Sequence, residues 1–377
     1  MHLRLSNIGQ INEADIHFGD LTVLVGPQAT GKSIALQFLK LAVDMGYVQD
    51  EMRRHGLDWS GELPQFFDAY FGEGMRAIWR APASELRWNG RVIDLPSWIG
   101  WKRRDKVENL FYIPAQRVLA LRNGWPRPFT DYAAGDPFAV RDFSEKLRIL
   151  VERFGEQLFP VERRLKVEFR QLLERDVFAK FRLEIDKAQS QKRLVLGSDH
   201  TPLPYMVWSA GQREFVPLLL GLYWLMPPTK VTRRADIQWA VIEELEMGLH
   251  PRAINVVLLM ILELVARGYR VCLSTHSPQV LEMVWAMRHL RESGASWQAY
   301  LEMFEAPKVQ NLQEVIEKTK NKQLKVYYFD SATGRAHDIS ELEPDGEAVG
   351  ESSWGGLSEF SGRANAAVAR AVANAGT

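Results

Sequence analysis

The sequence predicts an α/β fold with a mostly parallel sheet, on three observations. An apolar run, LTVLV at 21–25, leads straight into the glycine-rich GPQATGKS at 26–33 and then into a helical pattern. Two short apolar runs, at 239–242 and 269–274, alternate with long apolar helical stretches at 215–226 and 254–265, which is the order of buried parallel strands and their crossovers. Of the 377 residues 46% are apolar, enough for a sizeable core in one large domain or two.

Taken in order, residues 2–6, 11–18 and 21–25 read as three short strands, separated at Gly9-Gln10 and Gly19-Asp20. A helix follows from Ser33, and its apolar residues crowd all round the axis, as expected beneath a sheet. From about 50 to 108 the chain is rich in Trp, Phe, Gly and Pro and reads as an inserted, antiparallel β-rich region. Asn89-Gly90 within LRWNGRVIDL is a type I′ hairpin signal there. A core strand is expected at 109–113, a helical lobe of two or three helices at 138–182, and strand character again at 194–196. The main domain is therefore drawn as 1–285, with 286–377 as an extension ending in an Ala/Gly-rich tail; 363–374 reads as an Ala-rich helix or a loose tail.

Charge and cysteine content narrow the function. Forty-seven Lys and Arg against 47 Asp and Glu argue against a chain whose first task is to coat nucleic acid. The single cysteine, Cys272, excludes an intramolecular disulfide framework and a Cys-x-x-Cys zinc site, and suits a reducing compartment, so a cytoplasmic location is expected. His2 and Arg4 interrupt any signal-like apolar run, and the longest uncharged apolar stretch, 215–229, falls short of the about 20 residues that span a membrane. The 12 tryptophans have no regular spacing and read as packing residues rather than a base-stacking platform.

The segment Gly26, Pro27, Gln28, Ala29, Thr30, Gly31, Lys32, Ser33 fits G-x-x-x-x-G-K-[ST] at every fixed position, between a strand and a helix. Its backbone N–H groups and the helix N-terminus suit a β-phosphate, Lys32 the β/γ-phosphates, and the Ser33 hydroxyl a Mg²⁺ ion, so ATP and Mg²⁺ are the expected ligands. Two carboxylates end the strand at 239–242. Glu243 is expected in the metal shell, and Glu244 is expected to orient or deprotonate the attacking water.

Further motifs keep family order. SAGQRE at 209–214 resembles the ABC signature, and STHSP at 274–278 resembles the switch-histidine loop. With EELEMGLHP at 243–251, similar to EEPE-x-GLHP, the chain resembles ABC-class P-loop ATPases of the RecF/SMC/Rad50 and OLD-like group, in which anti-phage and DNA-repair ATPases fall. The resemblance implies an ABC-type ATPase head: a mostly parallel P-loop core sheet, an antiparallel β subdomain and a short helical lobe. It makes Gln116, in NLFYIPAQR at 109–117, a γ-phosphate and Mg²⁺ sensor, and His276 a γ-phosphate contact. Arg117 is read as a phosphate or nucleic-acid contact, or as a surface ion pair. Trp208, Ala210 and Leu245 depart from the family wording.

The resemblance further implies a head-to-tail homodimer, in which Ser209, Gly211 and Gln212 of one copy close over the ATP of another. The segment 138–182, at most about 68 Å long as one helix, is too short for long coiled-coil arms, and one cysteine excludes a zinc hook. Asp330, His337, Asp338 and Asp345 read as loop residues and not as a second metal centre. The expected function is an ATP-hydrolysing sensor or scaffold for a separate effector, such as a nuclease or toxin, in anti-phage defence. The alternatives are a RecF-like repair ATPase binding duplex DNA through Arg53-Arg54, Lys102-Arg103-Arg104 and Arg117/Arg122/Arg127, a transporter ATPase, and an assembly protein locked by nucleotide.

Overall fold

The computed structural model of the chain describes residues 1–100, 106–161, 164–187, 191–198, 202–227, 233–342 and, near the end, 363–365, 367–368 and 370. Strands β1 (His2–Ile8), β2 (Ile11–His17) and β3 (Leu21–Val25) precede helix α1 (Lys32–Arg54). Helix α2 (Leu63–Phe71), the hairpin β4 (Glu85–Trp88) and β5 (Arg91–Val92), helix α3 (Leu95–Gly100) and strand β6 (Leu110–Ile113) follow. The chain then forms β7 (Leu121–Arg122), β8 (Trp125–Pro126), α4 (Phe138–Glu152), β9 (Gln157–Phe159), α5 (Val167–Leu173), β10 (Arg182–Asp186), β11 (Arg193–Gly197) and β12 (Leu203–Pro204). The second half runs α6 (Ala210–Leu225), β13 (Trp239–Glu243), α7 (Pro251–Ala266), β14 (Arg270–Thr275), α8 (Pro278–Glu292), α9 (Trp297–Met303), α10 (Gln310–Thr319), β15 (Leu324–Asp330) and β16 (Arg335–Asp338).

Ten strands form one sheet in the order β5-β4-β1-β2-β16-β15-β3-β14-β13-β6. The run β15-β3-β14-β13-β6 is parallel, while β5, β4, β1 and β2 are antiparallel neighbours. The expected α/β class is borne out. Because side chains alternate along a strand, the parallel run divides its residues between two cores. Phe111, Ile113, Ala240, Ile242, Val271 and Leu273 face α4, α6, α7 and α8, whereas Leu110, Tyr112, Trp239, Val241 and Cys272 face α1 and α2. Cys272 is fully buried, and burial pushes its thiol up, so it acts as a small apolar core residue.

Three regions differ from expectation. The described part of the 50–108 stretch has more helix than strand: LPQFFDAYF forms α2 because its aromatics recur at helical spacing and Pro64 can start a helix. Its Asn89-Gly90 hairpin forms as expected, but pairs with β1 and so extends the main sheet. A separate antiparallel sheet, β12-β11-β10-β9, lies instead within 157–204, so the 138–182 lobe contains a strand beside its helices. The described residues after 285 add strands to the main sheet, since β15 pairs with β3 at Val326↔Val23 and β16 reaches β2. Asp330, His337 and Asp338 therefore sit on strands, not loops; Asp345 lies outside the described residues. The described residues of 363–370 are helical, as one of the two readings had it.

A buried ionic network fixes α1 against β6 and α4. Helix α1 is kinked at Asp44, whose carboxylate accepts from the Asn109 and Leu110 backbone N–H groups, both at 2.9 Å, and from Lys40 Nζ at 2.7 Å. Lys40 also pairs with Glu108, which Lys146 shares, and Lys146 meets Asp142. Burial works against the Lys40 charge, but Asp44, Glu108 and Asp142 outweigh it and raise its pKa.

Candidate nucleotide site

The carboxyl ends of β3, β14 and β13 bring the sequence-predicted residues to one edge of the sheet, where open α/β folds place their ligands. β3 delivers the loop at 26–31. Gly26 has φ 145°, and a Cβ there would lie 2.4 Å from the Phe329 carbonyl oxygen, so a glycine is required twice over. The loop wraps round Lys32, whose Nζ donates to the carbonyls of Gly26 at 2.8 Å and Pro27 at 2.7 Å. Burial lowers the Lys32 pKa to about 8, with Glu244, Glu246 and Glu243 opposing the shift.

Strand parity turns Glu243 toward the α1 face, where it is 2% exposed. Its Oε2 accepts from the Ala115 N–H at 3.1 Å, and burial raises its pKa against the pull of the Ser33 and Tyr112 hydroxyls beside it. Its Oε1 is buried without a hydrogen-bond partner. An orphaned carboxylate oxygen next to a serine hydroxyl is an oxygen donor pair that fits Mg²⁺. Glu244 takes φ 45°, a turn that swings its side chain out of the strand line, and its Oε1 lies 3.7 Å from His276 Nε2. The His276 imidazole, with Lys32 and Arg117 nearby, holds Glu244 below the usual carboxylate range, so it stays ionised.

A cavity of about 390 Å³ opens at this edge, lined by Gln28, Ala29, Thr30, Gly31, Lys32, Ser33, Ile34, Glu244 and His276 together with Gln10 and Met75. Sequence reading missed Gln10 and Met75, and only the Gly9-Gln10 turn gave any sign of the first. It also missed Glu246, whose Oε1 accepts from Thr275 Oγ1 at 3.0 Å and from the His276 N–H at 2.5 Å and so ties the histidine loop to the acidic turn. The wording EELE contained the residue, but nothing in it marked that contact.

Gln116 is exposed and is not among the cavity-lining residues. Arg117 requires a correction: it is 0% exposed and is neither a surface ion pair nor a phosphate contact. Its guanidinium donates to the carbonyls of Glu243 at 2.9 Å, Glu244 at 3.0 Å and Glu214 at 3.1 Å, and sits 3.5 Å from the Glu214 carboxylate. Burial lowers its pKa, opposed chiefly by Glu214. Of the other proposed nucleic-acid contacts, Arg122 and Arg127 share Asp131, Arg54 pairs with Asp50 and Glu51, and 102–104 lie outside the described residues.

The signature residues stand apart from the cavity. Ser209 caps α6, accepting from the Gln212 N–H at 3.2 Å while Gln212 Oε1 accepts from the Ser209 N–H at 2.9 Å, a capping box. Gly211 is needed within the chain as well, because a Cβ there would lie 2.6 Å from the Gly248 carbonyl oxygen. Trp208 is buried and donates to the Leu203 carbonyl at 2.8 Å, and Leu245 is fully buried, so two departures from family wording serve the core.

The profile of a family described as "AAA domain, putative AbiEii toxin, Type IV TA system" matches residues 82–282, just over half of the chain. Among solved structures, an SMC head domain from Thermotoga maritima is 11% identical, with 89% of this chain and 97% of that one covered and a TM-score of 0.33. An SMC head bound to the C-terminal winged-helix domain of ScpA is 10% identical, with 89% and 95% covered and a TM-score of 0.39. No curated protein matches the chain. Among the described residues no helix is long and apolar enough to cross a membrane.

Proposed function

From the premise that the chain belongs to this AAA-domain family of P-loop ATPases, we propose that it binds ATP with Mg²⁺, hydrolyses it, and closes as a head-to-tail homodimer to do so. The observation that carries the reading is a division of labour. Lys32, Ser33, Glu244 and His276 line one cavity, with Glu243 buried beside Ser33, while exposed Ser209 caps a helix elsewhere on the same chain. A second copy would bring its Ser209, Gly211 and Gln212 over the bound triphosphate, adding a helix N-terminus to the phosphate charge.

Within the cavity, the loop amides and Lys32 bind the phosphates. Ser33 and Glu243 would hold Mg²⁺, which neutralises charge on the transferred phosphoryl group. Glu244 accepts the proton of the attacking water, and His276, held at its backbone by Glu246, keeps Glu244 ionised and oriented.

We assign the ATP-driven dimer a sensing or scaffolding role beside a separate effector, consistent with the toxin–antitoxin wording of the family description, in anti-phage defence. A duplex-DNA role is less well supported, since Arg117 is buried and Arg122 and Arg127 are paired. Glu244→Gln tests the core of the proposal: it should abolish turnover, retain ATP and give ATP-dependent dimers by light scattering. A variant that stays monomeric with saturating Mg²⁺-ATP overturns the dimer mechanism.

A further inference from the structure

At the end of the antiparallel strands opposite the P-loop, three potential metal ligands share one face of β1 and β2. His2 and His17 are direct cross-strand partners in the register. Asp15 lies two residues before His17 and so projects from the same face. The two imidazoles stack with centroids 4.1 Å apart and planes 5° from parallel. His2 Nε2 contacts Asp15 Oδ1, His17 Nε2 lies 3.5 Å from that same oxygen, and the three ligand atoms fall within 4.8 Å of one another.

We infer that His2, Asp15 and His17 form a binding site for a divalent transition metal, with Zn²⁺ the best match. Two imidazole nitrogens and one carboxylate oxygen are a borderline donor set, poorly suited to Mg²⁺ and well suited to Zn²⁺. Tetrahedral Zn²⁺ with bonds of about 2.0–2.1 Å sets its donor atoms about 3.3 Å apart; His17 Nε2 already lies 3.5 Å from Asp15 Oδ1, and His2 Nε2 would separate from Asp15 as the ion enters between them. The scaffold is also held in place. The His2 N–H donates to Asn89 Oδ1 at 3.0 Å, the His17 N–H donates to Tyr327 Oη at 2.9 Å, and Arg4, two residues along β1 from His2, is engaged by Glu13 at 2.8 Å. Three protein ligands leave a fourth position to water, and an ion there clasps β1 to β2.

Zn²⁺ titrated calorimetrically into untagged full-length protein, without nucleotide or Mg²⁺, tests the site. Wild type should bind about one ion per chain and gain thermal stability. His17→Ala and Asp15→Asn should each weaken binding by more than the ~10–100-fold that outer-shell changes cost. His17 is largely exposed, so its loss leaves the fold intact, which circular dichroism verifies. Co²⁺ in place of Zn²⁺ should show tetrahedral d–d absorption in wild type alone. No binding by wild type, undiminished binding by His17→Ala, or loss of binding in Glu243→Gln instead overturns the assignment.

Discussion

Arg117 Nη2 donates to the carbonyl oxygen of Glu244 at 3.0 Å, so the backbone that carries the proposed proton acceptor is held by a buried cation. The same guanidinium holds Glu243 and reaches Glu214 on α6, which joins the acidic turn to the signature helix. Lysine keeps the charge but lacks the planar fork, so Arg117→Lys leaves at least one of these carbonyls unpaired. We expect a loss of about 1–3 kcal/mol in denaturant unfolding. Turnover should fall at least about tenfold while ATP affinity changes little, because the loop amides and Lys32 are untouched. Parallel measurement of kcat and ATP Kd checks this split.

Glu246 makes a second, independent connection, accepting from Thr275 and from the His276 backbone. Glu246→Ala should free the histidine loop, lowering turnover about tenfold through misplaced His276. ATP binding should persist, and single-turnover kinetics would locate the defect in the chemical step.

What the sequence made legible follows from how far each relationship reaches along the chain. The P-loop and the Glu243-Glu244 strand end are contiguous, and each carries its own strand or helix context, so their placement could be read directly. Arg117 could not, because its burial depends on α6 and β13 closing over it. Strand β15 has a readable β pattern in LKVYYFD, yet nothing local says that it pairs with β3. The aromatic density of 50–108 suggested strands, but in α2 the spacing of those rings overrode their β-propensity.

Lys32 should make nucleotide affinity pH-dependent. Burial lowers its pKa to about 8 in the protein, and a bound triphosphate would raise it again. Free protein therefore loses the Lys32 charge as pH rises through about 8, and affinity should fall by up to about tenfold per pH unit above that. Binding at pH 8.5, where the ATP phosphates are fully ionised, should take up a fraction of a proton. Calorimetry in two buffers of different ionisation enthalpy measures the uptake, and absence of uptake would show that Lys32 keeps its charge without nucleotide.

Glu243 sets stability against ligand binding. Burial raises its pKa above 4.5, so the folded chain retains a proton that the unfolded chain has released. Through that window stability falls as pH rises, and the full deficit remains at neutral pH. Glu243→Gln keeps the shape and removes the buried charge, so without nucleotide it should melt above wild type at pH 7.5, by about 1–2 °C for each kcal/mol relieved. The difference should vanish below pH 4.5, where both side chains are neutral. Saturating Mg²⁺-ATP should reverse the order, because ligand binding stabilises wild type in proportion to ln(1 + [L]/Kd) and the variant has lost its proposed metal oxygen. Melting curves at both pH values, with and without Mg²⁺-ATP, check all three statements, and a variant never more stable than wild type would mean that the Glu243 charge is already compensated within the fold.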